Sequence, residues 1–127
     1  MPNRDYRDLI AWKKAFSFSL AIYQATAKFP IEEKYGITSQ LRKASVSIPS
    51  NIGEGQGRNS KGEFLHHLYF ALGSLKEVET QLLISDALGY LESIHVTKLM
   101  SMSAELGRLI NGLSGSLRKS WSLTTKY

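Results

Sequence analysis

The chain contains no cysteine. Disulfides and thiolate metal sites are thereby excluded, and the absence fits a reducing, cytoplasmic setting. No apolar run approaches the ~20 residues that a membrane span needs, so no membrane association is expected. The polar, charged start from Met1 to Asp8 has no apolar segment behind it, which predicts no signal peptide. No stretch shows convincing strand alternation. Proline is scarce, at three residues, and one of them, Pro49, stands where a helix is expected. What remains is a chain of 127 residues, enough for one domain with a real core. Its formal net charge is +5, which permits an acidic partner without demanding one.

The periodicity is helical throughout. A first helix is expected over roughly residues 9–28. Leu9, Trp12, Phe16, Leu20 and Tyr23 form its apolar stripe, which reads as core, and Phe29-Pro30 ends it. A second runs from about Gly36 to Glu54 on Ile37, Leu41, Ala44, Ile48 and Ile52, and Gly53, Gly55 and Gly57 stop it. Ser60 and Glu63 make a capping box for a third, with Leu65, Leu68, Leu72, Leu75 and Leu82 inward. Gly89 is its expected C-cap. Ser93 caps a fourth, carrying Leu99, Leu106, Ile110, Leu113 and Leu117. Short connections between long helices predict an all-α, up-down-up-down antiparallel four-helix bundle over residues 1–117. Residues 118–127 are expected to be a flexible tail.

The run from Tyr35 to Ser60 is the most informative. Pro49 removes a backbone hydrogen bond within a helix and clashes with the preceding turn, at a cost of about 3 kcal/mol. Something in the packing must offset that cost. Ser45 and Ser47 are candidates, since hydroxyls bond to nearby carbonyls.

Two inferences follow from the antiparallel layout. Glu79 falls on the third apolar stripe, and a buried carboxylate needs a partner. Arg42 lies about one turn from the opposite position, so an Arg42–Glu79 ion pair is expected. The alternative is a slight rotation that buries Val78 and leaves Glu79 wet. The second inference concerns charge. The half built from residues 1–18, 48–72 and 106–127 holds ten basic and four acidic residues. The other half holds six basic and seven acidic residues. A modest total thus hides a polarised molecule.

Chemistry is hard to find. Gly53-Glu54-Gly55-Gln56-Gly57 follows a helix rather than a strand and lacks the Gly-Lys-Ser/Thr of a phosphate loop. Glu63-Phe64-Leu65-His66 occurs once, whereas di-iron bundles need paired Glu-x-x-His motifs. His66 and His67 point apart, and His95 lies near the opposite end. No nucleophile, acid–base pair, metal site or cofactor loop is expected, and the protein reads as a non-enzyme.

Several motifs together carry a family resemblance. They are Asp8-Leu9, Trp12-Lys13-Lys14-Ala15, Tyr35 to Ala44, Ser47 to Gly55, Gly57-Arg58, Glu63-Phe64, Gly73-Ser74-Leu75, Glu79-Thr80-Gln81-Leu82 and Leu88-Gly89-Tyr90-Leu91. The chain resembles the bacterial four-helix bundle proteins first known from intervening sequences of large-subunit rRNA genes. That family is similar to the accessory protein of diversity-generating retroelements, which binds nucleic acid and its reverse transcriptase. The resemblance implies a ring-shaped homopentamer with no established activity. Its expected partners are copies of itself, RNA or DNA, and a reverse transcriptase. Lys43, Arg58, Lys61, Arg118 and Lys119 are then the candidate nucleic-acid-binding residues. The alternative is a protein-interaction scaffold docking a partner such as that polymerase.

Overall fold

In the computed structural model, residues 5–126 are described, with side chains through Lys119. Among them are four α-helices and no strand: α1 (Ile10–Thr26), α2 (Ile37–Gln56), α3 (Lys61–Ala87) and α4 (Ser93–Lys126). Single 3-10 turns at Tyr6–Asp8 and Ile31–Glu33 lead into α1 and α2. Each helix packs on its chain neighbour, and α1 closes on α4, while the diagonal pairs do not meet. This is the expected antiparallel four-helix bundle. Helix α4 passes Leu117 and continues to Lys126, where a flexible tail was expected.

Local chemistry sets the helix ends. Ser60 accepts a bond from the Glu63 amide at 3.1 Å, and its hydroxyl also meets the Glu63 carboxylate. At the other end of α3, Gly89 adopts φ +78°, a left-handed conformation that suits glycine. The Gly89 amide donates to the Asp86 carbonyl and the Tyr90 amide to the Ser85 carbonyl, which completes a Schellman cap. Glu33 binds the Ile37 amide at the start of α2, and the Tyr90 hydroxyl donates to its second oxygen at 2.8 Å. That bond raises the Tyr90 pKa above its ordinary value, with burial adding to the effect.

Pro49 sits inside α2, as the sequence requires. The carbonyl it leaves without a helical donor is that of Ser45. The buried Ser19 hydroxyl of α1 donates to that carbonyl at 2.7 Å. Ser45 turns its own hydroxyl to the Arg42 carbonyl. The compensation thus comes mainly from the neighbouring helix, not from the serines beside the proline.

Two further expectations change. On α1 the buried residues are Ala11, Ala15, Phe18, Ser19, Ile22 and Thr26. The bulkier stripe faces outward, with Phe16 47%, Leu20 50% and Tyr23 42% exposed. Both stripes recur at three- and four-residue spacing, one residue or about 100° apart, so periodicity alone does not choose between them. The alanines bring α1 close to its neighbours, Phe18 fills the core between them, and Phe16 and Tyr23 are left outside.

Of the glycines after Ile52, Gly53 and Gly55 lie inside α2 and only Gly57 stops it. The helix continues to Gln56, with Gly57 as its C-cap. At buried Gly55 a Cβ would lie 2.7 Å from the His67 Cβ and 2.9 Å from the Phe64 ring. Gly55 is therefore a point of close approach between α2 and α3.

The Arg42–Glu79 pair does not form. Arg42 turns to α1, donating to Thr26 Oγ1 at 2.8 Å and to the Tyr23 carbonyl at 3.3 Å. Its guanidinium lies 4.7 Å from the centre of the Tyr23 ring. A cation at a helix C-terminus satisfies carbonyls left over there and complements the dipole. Glu79 turns the other way, accepting from Ser103 of α4 and from Lys76. Val78 takes the buried position, while the Glu79 side chain is 18% exposed. Three uncharged polar contacts join α2 and α3, and the Glu54 carboxylate lies 4.0 Å from His67. Ser47 meets Ser74, Gln40 meets Gln81, and Asn51 meets His67.

Candidate nucleic-acid interface

The antiparallel order brings the start of α1, the α2–α3 turn and the last turns of α4 to one end. Tyr6 packs beside Gly53, and Arg118 of α4 reaches Tyr69 of α3. Four of the five candidate cations lie on this end of the bundle. Arg58 occupies the turn between α2 and α3, and Lys61 is the first residue of α3. Arg118 and Lys119 come from α4. All four are exposed. Lys43 is also exposed but sits on α2, about 22 Å along the helix axis from Arg58 at 1.5 Å per residue. The structure does not bring it to the other four.

Neighbouring acids cancel some of the positive charge. Arg7 is clamped by Asp5 at 2.7 Å, and Lys14 approaches Glu105 at 3.7 Å. The side-chain bond from Arg7, then its backbone amide, holds the Asp5 carboxyl down to about 2. Arg58, Arg118 and Lys119 form no ion pair among the described residues. Their charge is available to an external anion.

Sequence reasoning missed the exposed aromatic residues of α3, one of which Arg118 reaches. Tyr69 is 48% exposed and Phe70 52% exposed on the outer face of α3. His66 packs edge-on against Phe70 at 4.5 Å between ring centres. Arg118 Nη1 donates to the Tyr69 hydroxyl at 2.9 Å, tying a cation to this aromatic patch. The signal was present in the sequence. An inward stripe of Leu65, Leu68 and Leu75 necessarily turns positions 66, 69 and 70 outward. Exposed rings with a guanidinium beside them can stack bases and hold phosphates.

No metal-binding group of three or more His, Cys, Asp or Glu side chains occurs among the described residues. His67 instead serves the α2–α3 contact, 3.1 Å from Asn51 Oδ1. No helix among the described residues is long and apolar enough to cross a membrane.

The fold has a solved relative. The crystal structure of a protein of unknown function from the S23 ribosomal protein family of Bacteroides thetaiotaomicron superposes with a TM-score of 0.75. The match covers 83% of this chain and 98% of that one at 20% identity, which establishes a common fold. No curated protein matches the chain. The model of one sequence family, described as 23S rRNA-intervening sequence protein, matches residues 7–112. With the signature run lying wholly inside that match and the expected bundle in place, the chain belongs to the 23S rRNA-intervening sequence protein family.

Proposed function

We propose that this protein is a non-enzymatic, self-associating nucleic-acid-binding bundle, with RNA as its main ligand. The observation that carries this reading is the patch at the α2–α3 turn. Arg58 and Arg118 stand there without acidic partners, and Arg118 bonds to Tyr69, whose exposed ring lies next to that of Phe70 along α3. Stacking tolerates any base and phosphate contacts carry no sequence information, so binding is expected to be weakly selective. The α1 stripe of Phe16, Leu20 and Tyr23 supports self-association, because contiguous exposed apolar surface marks interaction sites. A homopentamer would repeat the patch five times and convert weak single contacts into useful avidity.

The same stripe supports a second reading, in which the apolar face docks a partner protein such as a reverse transcriptase.

The test is RNA binding at several salt concentrations, for the parent and for Arg58→Gln/Lys61→Gln. For single strands, log K is expected to fall with log salt at a slope near −0.7 per phosphate contact. The double variant should bind more weakly and with a slope shallower by about 1.4. Lys43→Gln should leave both values unchanged. Salt-independent binding, or no binding at low salt, would overturn the proposal.

A further inference from the structure

The opposite end of the bundle holds a cavity that the nucleic-acid reading does not use. It lies between the last two turns of α1, the turn after Gly89, and the first three turns of α4. Its volume is about 340 Å³, at the small end of the ~300–1,000 Å³ range of small-molecule sites. Part of the lining is apolar: Ala25, Leu91, Leu99 and Met102. The two alanines of α1, Ala21 and Ala25, leave the space that longer side chains would fill. Tyr90 belongs to the lining too, and its hydroxyl is already committed to Glu33.

The lining also carries cations. Lys28 and Lys98 both belong to it, and neither forms an ion pair among the described residues. The only acid in it, Glu92, lies 3.7 Å from His95. Lys98 also stands in the second turn of α4, near the positive end of that helix, where the dipole gives a cation no support. Two lysines without counter-ions on the lining of a partly apolar hollow suit one kind of occupant. It has a compact apolar body and a single anionic head.

We propose that this cavity binds a small organic carboxylate, with its hydrocarbon part against Leu99 and Met102 and its carboxylate between Lys28 and Lys98. The site is separate from the patch at the α2–α3 turn and stands or falls independently of RNA binding.

Isothermal titration of the full chain with octanoate tests this, with acetate and 1-octanol as controls that keep only the charge or only the apolar body. Octanoate should saturate at one molecule per chain, and both controls should bind at least about tenfold more weakly. Lys28→Gln/Lys98→Gln should weaken octanoate by about tenfold or more while helical content and RNA affinity stay as in the parent. Ala25→Leu, which fills the hollow without touching charge, should abolish octanoate binding. Absence of saturable binding, equal affinity for octanol, or indifference to both variants would each overturn the proposal.

Discussion

The Ser45 carbonyl shows how one residue answers another across a helix interface. Pro49 deprives it of its helical donor, and Ser19 supplies a replacement from α1 at 2.7 Å. Ser19→Ala should strand a buried carbonyl and cost about 1–3 kcal/mol in denaturant unfolding. With Pro49→Ala the helix regains its own amide donor. In that background the cost of Ser19→Ala should fall by about 1 kcal/mol or more, a coupling that a double-mutant cycle reads directly. Equal costs in both backgrounds would show that the serine does not compensate the proline. Arg42 and Glu79 teach a related lesson. Their spacing suggested a pair, yet each found a nearer partner on the opposite side, Arg42 at the α1 C-terminus and Glu79 on α4. A register argument places residues at the same height, but it does not say which way their side chains turn.

At the scale of elements, helix existence and approximate bounds were legible, because the 3.6-residue period and the caps at Ser60 and Gly89 are local signals. The rotation of α1 was not. Its two stripes, Ala11-Ala15-Phe18-Ile22 and Trp12-Phe16-Leu20-Tyr23, are equally periodic, and only packing against α2 and α4 selects the smaller one. The role of Gly55 was equally hidden, since a glycine near a helix end reads as a stop until the neighbouring helix is seen against it. Two alanine substitutions separate these meanings of glycine. Gly55→Ala drives a methyl group into His67 and Phe64 and should destabilise by about 1–3 kcal/mol. Gly73→Ala meets nothing within 4 Å inside α3 and should stabilise by about 1 kcal/mol. Unfolding midpoints of the two variants, moving in opposite directions from the parent, would confirm the assignment. Movement in the same direction would refute it.

For the whole molecule, the outward stripe of α1 makes a prediction about assembly. Burying a Phe or Leu side chain at a subunit contact contributes about 1.5–3 kcal/mol. Phe16→Asp/Leu20→Asp should therefore lower the mass measured in solution by light scattering while leaving far-ultraviolet helicity unchanged. A parent already monomeric, or a variant of undiminished mass, would remove the stripe as a self-association surface. Of the candidate interface, the charge polarity was readable because helix order alone assigns each segment to an end. The aromatic component was not legible because helical periodicity picks out the inward leucines, and Tyr69 and Phe70 face away from them.

The sequence by itself determined the number and order of the helices, their antiparallel connection, the family, and the concentration of basic residues at one end. These follow from local periodicity, short turns and residue order. The tertiary structure decided which face of α1 is buried, what replaces the hydrogen bond lost at Pro49, and where Arg42 and Glu79 turn. It also opened a lysine-lined hollow between α1 and α4. Each of those depends on atoms from distant parts of the chain meeting at a few ångströms, a distance that no local spacing rule encodes.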